Sequence, residues 1–278
     1  MNTKITPEIS TKIYEEFASI VNKKPQRKGR KYKVGVDLGT ANIVVAVLDE
    51  NNKPIAGAMK AAQVVKDGVV VDFIGAREIV REMVGYLNEE LEGKLTIAAC
   101  AIPPGTGEGV SKATQYVVEE AGLDVVNVVD EPIAAAKVLG IEDGIVVDIG
   151  GGTTGISVLK DGKVVYIADE PTGGTHFTLV LAGHFNISFE EAEKMKLDTQ
   201  RQKMLAPILK PCMEKVAEII KRHTSSFGNI DTIYMVGGAS ALHGLKEVVE
   251  NTTRKKVIIP RYPIFITPLG IALFCEKG

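Results

Sequence analysis

The stretch VGVDLGTANIVVAVL (34–48) recurs without a gap as IVVDIGGGTTGISVL (145–159), and this internal repeat decides the fold. Asp37 and Asp148 hold the same place in the two copies, each between an apolar run and a turn that contains glycine. Apolar runs on both sides of a tight turn predict two buried strands joined as a hairpin. Two copies so far apart in one chain indicate a duplicated lobe rather than a solenoid of short repeats.

Helical and strand patterns follow each copy, which predicts an α/β protein. Apolar residues at every fourth place from Ile79 to Leu91 predict a helix with one buried face. Asp67-Gly68 and Asp161-Gly162 predict hairpin turns. After the first copy the predicted elements are helices at 75–91, 108–121 and 132–139 and strands at 95–102 and 125–129. After the second they are helices from about 174, from 188 and over 204–225, a strand at 230–236, and helices at 241–249 and 267–276.

These elements divide the chain into four predicted segments. They are an N-terminal helix with a basic linker (1–32), lobe I (33–144), lobe II (145–266) and a C-terminal helix that returns to lobe I (267–278). Thr6 and Pro7 are typical of a helix start. The linker carries seven Lys and Arg residues between Lys23 and Lys33, which suits either a solvated tether or a docking arm for an acidic partner.

The composition of the 278-residue chain excludes several classes of protein. Hydrophobic residues make up 45% and the formal net charge is -2, so the chain is too apolar for disorder and too balanced to bind nucleic acid through bulk charge. The three cysteines are widely spaced, which favours a reducing compartment. No secretory signal is visible, and the most apolar late stretch (257–275) contains Arg261 and three prolines. We therefore expect a cytoplasmic protein without a membrane span.

The repeated turns have the chemistry of a phosphate site. An aspartate at the end of a buried strand is costly unless it has a charged or hydrogen-bonding partner. Glycines beside it let backbone N–H groups approach a ligand closely and bind phosphate oxygens. Two such turns can hold a polyphosphate from opposite sides, while Asp37 and Asp148 hold a hydrated Mg²⁺. The competing interpretation is that the two aspartates only form turns.

Both turns resemble the phosphate loops of the actin/Hsp70/sugar-kinase superfamily. Three further motifs resemble that family in its order: DEPIAAAKVLG (130–140) its first connecting helix, DTIYMVGGASALHGL (231–245) its adenosine motif and TPLGIALF (267–274) its second connecting helix. The resemblance spans about residues 34–274 and implies two duplicated ribonuclease H-like lobes around a site for ATP or ADP and Mg²⁺. The chain is short between these motifs, so we expect a compact fold without the large inserted subdomains of bigger relatives.

The resemblance also implies a role for each matching residue. Asp37 and Asp148 would bind Mg²⁺, and Asp148 and Glu131 would be catalytic, with Glu131 orienting the attacking water. GGTHF (173–177) resembles the glycine turn near the ribose and phosphates, and AEKMK (192–196) resembles a helix beside the purine, although its Glu and Lys also suit an ordinary solvated pair. The implied nucleotide-binding residues are Gly39, Thr40, Ala41, Asn42, Gly150, Gly151, Gly152, Thr153, Thr154, Gly173, Gly174, Glu193, Lys196, Gly237 and Gly238.

Two departures from the superfamily bear on catalysis. Hsp70 carries an acid two residues after the threonine of its second phosphate loop, where this chain has Gly155. The chain also lacks a match for the chaperone's catalytic lysine, which lies in an inserted segment. Nucleotide binding is therefore the firmer prediction, and a weak Mg²⁺-dependent ATPase activity stays open.

The compact core without inserted subdomains and the basic N-terminal linker most resemble the EutJ family of ethanolamine utilization proteins, which are described as chaperone-like members of bacterial microcompartment operons. The resemblance covers nearly the whole chain, including PGTGEG (104–109) and GGTHFTL (173–179). This implies an ATP/ADP-binding protein that assists the assembly or maintenance of microcompartment enzymes. Its expected partners are proteins of the ethanolamine utilization system, and its expected location is the cytoplasm, in association with a microcompartment. The alternative is an actin-like scaffold or assembly adaptor that binds nucleotide without significant turnover. A sugar or acetate kinase is disfavoured, because the chain leaves little room for a second substrate pocket.

Overall fold

The structure, a computed structural model, describes residues 7–25, 31–91 and 93–276, and the strands in these ranges form two five-stranded sheets and a short ribbon. The strands of the first half are β1 Tyr32–Leu38, β2 Asn42–Asp49, β3 Pro54–Ala61, β4 Val65–Lys66, β5 Val69–Val70, β6 Ile97–Ile102 and β7 Asp124–Asp130. Those of the second half are β8 Gly144–Ile149, β9 Thr154–Lys160, β10 Lys163–Glu170, β11 Thr232–Val236 and β12 Lys256–Ile258. The helices are α1 Pro7–Ile20, α2 Phe73–Leu91, α3 Glu108–Glu120, α4 Glu131–Leu139, α5 Gly174–Phe185, α6 Phe189–Leu197, α7 Thr199–Thr224, α8 Leu245–Thr253 and α9 Ile266–Leu273.

The two five-stranded sheets have the same strand order. In the first, β3, β2 and β1 form an antiparallel meander, and β6 and β7 continue the sheet as parallel strands on the other side of β1. In the second, β10, β9 and β8 form the meander, and β11 and β12 are the parallel strands. The α/β fold of two duplicated lobes is therefore confirmed, while the limits that we assigned to the lobes stay predictions.

The first strands of each sheet are buried because their sequences are almost continuously apolar. Every residue of β8 is buried, including Asp148, and β2 is buried from its second residue to its end. The turns Asp67-Gly68 and Asp161-Gly162 have positive φ at both residues. Two-residue hairpin loops of type I′ require this backbone conformation, and Asp-Gly pairs adopt it readily. Both hairpin predictions are confirmed.

The helices α4 and α9 lie against each other between the two sheets. A Cβ atom on Gly270 would lie 1.9 Å from the carbonyl oxygen of Ala134, so the backbones meet at a distance that only glycine permits. α9 also packs on β1, where a Cβ on Gly35 would lie 2.5 Å from the carbonyl oxygen of Pro268. The two helices form the layer that both lobes share.

The N-terminal helix α1 packs on lobe I through Phe17, which is fully buried. The ring of Phe17 lies edge-on to Phe265, with the centroids 5.3 Å apart, and it fills the space that a side chain at Gly57 would need. After the helix, the Asn22 side chain accepts from Met59 N at 2.8 Å and donates to Met59 O at 3.0 Å. Thr6 and residues 26–30 of the basic linker, which we predicted as a helix start and as a tether or docking arm, lie outside the described residues.

Three helix predictions need correction. The C-terminal helix predicted over 267–276 ends earlier, at Leu273 of α9, where Phe274 caps it. α7 begins before the predicted start at Met204, because the Asp198 side chain accepts a hydrogen bond from the backbone at the beginning of the helix. The helix predicted over 241–249 is shifted to α8, because Gly244 has a φ of 89° and a 3-10 turn at Gly238–Ala241 precedes it. Within the described ranges, no helix is both long enough and apolar enough to cross a membrane.

Candidate nucleotide-binding site

A cavity of about 520 Å³ lies between the two lobes, at the turns of the sequence repeat. Its walls come from the β1–β2 turn, the β8–β9 turn, the starts of α4 and α5, the end of α6 and the segments after β11 and β12. Most of the sequence-predicted site residues line it, although they come from distant parts of the chain. They are Asp37, Gly39, Thr40, Ala41, Asn42, Glu131, Asp148, Gly150, Gly151, Gly152, Thr153, Gly174, Glu193, Lys196, Gly237 and Gly238.

The two repeated turns contact each other. A Cβ atom on Gly151 would lie 2.9 Å from Ala41 N, and one on Gly152 would lie 2.7 Å from Thr40 Oγ1. The β4–β5 turn reaches the same point, because the Gly152 Cβ would also lie 2.9 Å from the Cα of Asp67. Glycine is required for this approach, and the same lack of side chains lets a phosphate group reach backbone N–H groups.

Two predicted nucleotide-binding residues, Gly173 and Thr154, support the second turn from behind instead of lining the cavity. A Cβ atom on Gly173 would lie 2.7 Å from the carbonyl oxygen of Gly151. Thr154 is fully buried, and its hydroxyl group donates to the carbonyl oxygen of Thr172. Both residues therefore fix the shape of the turn that faces the cavity.

Three carboxylates, those of Asp37, Glu131 and Asp148, line the cavity together. Burial, followed by the negative charge of Asp148, raises the pKa of Asp37 to about 7. Burial also raises the pKa of Asp148 to about 6, and a hydrogen bond from the Thr267 hydroxyl counteracts this. The pKa of Glu131 is raised well above its ordinary value, by burial first and then by neighbouring aspartates.

This group of carboxylates fits a divalent cation. The charged neighbours that shift the pKa of Asp37 and of Glu131 are all carboxylates, so the site accumulates negative charge that a cation would neutralise. In the part of the chain that the structure describes, no group of three His, Cys, Asp or Glu side chains is arranged to hold a metal ion. Mg²⁺ commonly takes one or two carboxylates and completes its shell with water and substrate phosphates, and the pair Asp37 and Asp148 suits that kind of site.

Glu193 and Lys196 form an ion pair on the α6 side of the cavity. Lys196 Nζ lies 2.7 Å from Glu193 Oε2, and it donates to the carbonyl oxygen of Gly174 at 3.0 Å and to Thr178 Oγ1 at 2.8 Å. Burial lowers the pKa of Lys196, and the Glu193 carboxylate counteracts that shift. Since Lys196 is only 9% exposed, the interpretation of an ordinary solvated pair is wrong.

The segments after β11 and β12 close the cavity. Gly237 has a φ of 82°, and a Cβ atom there would lie 2.3 Å from Asp148 Oδ1, so this glycine packs directly on the aspartate. Tyr262 also has a positive φ, 58°, and the Arg261 guanidinium lies 5.1 Å from the centre of its ring. Sequence reasoning missed Arg261 and Tyr262 because they belong to no motif, although the prolines on either side of the pair are a signal of a constrained turn.

Known proteins are similar to this chain in sequence and in structure. The family model for the type IV pilus assembly protein PilM matches residues 112–262. The ethanolamine utilization protein EutJ of Salmonella typhimurium is 41% identical over 259 residues, which cover 93% of this chain and 91% of that protein. The crystal structure of EutJ from Carboxydothermus hydrogenoformans has a TM-score of 0.91 and 47% identity, and the match covers 96% of this chain and 99% of that one.

A more distant solved structure shares the fold alone. It is MreB5 of Spiroplasma citri bound to ADP, with a TM-score of 0.72 and 18% identity over 88% of this chain and 96% of that one. The two-lobed architecture is therefore the one found in actin-like proteins, as the sequence motifs predicted.

Proposed function

The chain belongs to the EutJ family of ethanolamine utilization proteins, within the wider group that the PilM family model describes, and from this we propose that it binds ATP or ADP with Mg²⁺ between its lobes. The observation that carries the proposal is that two glycine turns and three carboxylates meet at one cavity. A polyphosphate needs hydrogen-bond donors and its counter-ion needs carboxylates, and this cavity offers both side by side.

The residues of the cavity divide between phosphate, cation and adenosine. In this proposal the backbone of the two turns, 39–42 and 150–153, holds the phosphates. Asp37 and Asp148 would hold the hydrated cation, and Mg²⁺, when bound, would supply positive charge beside the phosphate oxygens. The adenosine lies next to the phosphate turns, against the α6 ion pair and the two glycines at 237–238.

We further propose that the site hydrolyses ATP slowly. Glu131 begins α4 among the other carboxylates, and its raised pKa makes it a better proton acceptor than an ordinary carboxylate. The oxygen of a water molecule forms a bond to the γ-phosphorus. The bond from that phosphorus to the β–γ bridging oxygen breaks, and ADP leaves with the electron pair. The proton of the water passes to Glu131 and from there to solvent.

Nucleotide binding is proposed to serve a chaperone-like role in the ethanolamine utilization system. The support is family membership, since the EutJ relatives are named for that system. Nucleotide-dependent hinging of the lobes about α4 and α9 would change the surface that a partner meets. A cytoplasmic location and an association with microcompartment enzymes belong to the same proposal.

Thermal unfolding tests the binding proposal. A ligand that binds only the folded state stabilises it by about 2.7 kcal/mol at 100 times its Kd, so ATP with Mg²⁺ is expected to raise the Tm by several degrees. Asp148→Asn keeps an acceptor for Thr267 but removes the charge, and most of the shift should disappear. Asp161→Asn, the matched change in the β9–β10 turn, should keep the shift. A wild-type Tm that does not respond to ATP with Mg²⁺ would contradict the proposal.

A second candidate function is a nucleotide-binding scaffold or assembly adaptor. The PilM family model, which describes a pilus assembly protein, covers residues 112–262 and favours this candidate. Light scattering with and without ATP separates the two functions. Scattering that grows on addition of ATP favours the scaffold, whereas a protein that binds ATP and stays monomeric favours the chaperone-like role.

A further inference from the structure

Strand β10 carries one more carboxylate, that of Asp169, close to residues of the nucleotide site, although Asp169 does not itself line the cavity. In the antiparallel pairing of β9 with β10, Asp169 lies directly opposite Gly155. Residues directly opposite each other in such a pair project to the same face of the sheet. A Cβ atom on Gly155 would lie 3.2 Å from Pro132, which follows Glu131 at the start of α4. Asp169 therefore projects from the face of the sheet that meets the start of α4.

A β-bulge sets this register. The pairing of β9 with β10 shifts by one residue between Val164 and Tyr166. Without that shift Ala168 would lie opposite Gly155, and Asp169 would point to the other face, because side chains alternate along a strand. Bulges next to functional sites commonly re-aim a side chain in this way.

The surroundings of Asp169 offer its carboxylate few hydrogen-bond donors. Its Oδ1 atom is buried and has no hydrogen-bond partner among the residues that the structure describes. The Thr153 side chain lies near the carboxyl group, and so do the negative charges of Asp148, Glu170 and Asp67. Burial is the largest of the causes that raise the pKa of Asp169 to about 7. A buried acceptor without a donor is costly, and a water molecule is the donor that a polar site can supply.

Thr153 connects Asp169 to the cavity, because its side chain lies near the Asp169 carboxyl group and Thr153 also lines the cavity. A hydroxyl group has one hydrogen to donate and an ionised carboxylate can only accept, so a hydrogen bond between these two groups has Thr153 as its donor. The lone pairs of the Thr153 oxygen then remain for the cavity, where they accept from water rather than donate to phosphate. Thr153 and Glu131 both line the cavity, and the charge of Asp169 also raises the pKa of Glu131. Thr153 and Glu131 therefore offer acceptors to a water molecule in the cavity, and Asp169 lies beside them.

We propose that Asp169 is a positioning residue for ATP hydrolysis, whose carboxylate orients the Thr153 hydroxyl and helps to hold the water molecule that Glu131 activates. This inference rests on the proposed function. The reaction is the one given above: the water oxygen bonds to the γ-phosphorus, ADP leaves with the electron pair of the bridging oxygen, and the proton goes to Glu131. Asp169 on β10 thus supplies a carboxylate opposite Gly155, the position at which Hsp70 carries an acid.

The test compares Asp169→Asn with the wild-type protein at pH 8. Phosphate release from ATP with Mg²⁺ measures turnover, and the ATP-dependent Tm shift measures binding. Turnover is expected to fall by about tenfold or more, while the Kd for ATP with Mg²⁺ changes by less than about threefold. The Tm of the nucleotide-free variant should rise, because the substitution removes a negative charge from a carboxylate whose buried Oδ1 atom has no hydrogen-bond partner among the described residues. A residue that only held the fold together would instead give a lower Tm and weaker binding.

Glu170→Gln is the matched control at the next residue of β10. Glu170 pairs with Arg222 at the end of α7 and with His223 beside it, so this variant should keep both turnover and binding. Equal turnover in Asp169→Asn and the wild-type protein would overturn the role of Asp169. A wild-type protein that binds ATP without hydrolysing it would also overturn that role and would leave nucleotide binding intact. The proposed function itself would be contradicted only if the wild-type protein failed to bind ATP.

Discussion

The Thr267 hydroxyl group on α9 donates a hydrogen bond to Oδ2 of Asp148 on β8, across 119 positions of the chain. α9 packs on β1 and β2 of the first sheet, whereas β8 belongs to the second, so this bond joins the two lobes at the proposed cation site. The bond lowers the pKa of Asp148 against the effect of burial. One hydroxyl group therefore contributes both to the contact between the lobes and to the charge of the site.

Thr267→Val is expected to weaken nucleotide binding, because valine keeps the shape of threonine and removes the donor to Asp148. An acceptor left without its donor costs about 1–3 kcal/mol, which urea unfolding would measure. The Tm shift with ATP and Mg²⁺ should become smaller at each ATP concentration. Thr224→Val removes a buried hydroxyl that donates to Ile220 O within α7, so it should cost stability and keep ATP affinity. The same ATP affinity in both variants would count against the prediction.

Gly270→Ala is expected to destabilise the fold by at least about 1–3 kcal/mol, because the new methyl group would collide with the Ala134 carbonyl. The collision forces α4 and α9 apart, so nucleotide binding should fall with stability. Urea unfolding and the ATP-dependent Tm shift measure the two effects. Gly85→Ala in α2, where no atom lies within 4 Å of the new Cβ, should raise stability by up to about 1 kcal/mol. A Gly270→Ala variant as stable as the wild-type protein would show that this contact can relax.

Gly152→Ala is expected to abolish nucleotide binding, because its Cβ would lie 2.7 Å from Thr40 Oγ1 and 2.9 Å from the Cα of Asp67. The two repeated turns would have to separate, and their backbone N–H groups would no longer face one phosphate chain. Binding of a fluorescent ATP analogue with Mg²⁺ measures this loss. Gly109→Ala in α3 places a Cβ where nothing lies within 4 Å, and its affinity should match that of the wild-type protein. Retained binding in Gly152→Ala would contradict the assignment of this turn to phosphate.

The raised pKa values of Asp37 and Asp148 predict how stability and binding change with pH. The folded pKa is about 7 for Asp37 and about 6 for Asp148, and both lie above the ordinary value. The nucleotide-free folded state is therefore more stable when these carboxylates are protonated than when they are ionised. Their contribution to stability is therefore present below pH about 4 and is lost as the pH rises to about 7. A cation binds the ionised forms, so the Mg²⁺-dependent part of the ATP shift should grow over the same range.

Tm measurements with ATP, with and without Mg²⁺, from about pH 5.5 to about pH 8 test this pH dependence. Asp148→Asn cannot ionise at that position, so its Mg²⁺-dependent shift should stay small throughout. A Mg²⁺-dependent shift of constant size in the wild-type protein would show that these aspartates do not control cation binding.

Much of the candidate site could be predicted from the sequence, because its residues lie in short local motifs. Asp37 and Asp148 each precede their own glycine turn, so an ungapped repeat reveals both at once. The contact of Gly152 with Thr40 could not be predicted, because it depends on how the two lobes pack. The buried environment of Lys196 is also hidden from the sequence, where a Glu-x-x-Lys pair on a helix is typical of an exposed surface.

The sequence by itself indicated the two duplicated lobes, their hairpin turns and the pair Asp37 and Asp148, because apolar runs and glycine turns are local properties of the chain. Glu131 followed only from the resemblance of its motif to the superfamily. Only the tertiary structure decided that Asp169 lies opposite Gly155 and that Arg261 and Tyr262 line the same cavity. The physical reason is that a single bulged residue in β10 reverses the face on which Asp169 lies, and neither that bulge nor the approach of one lobe to the other is written in a local pattern.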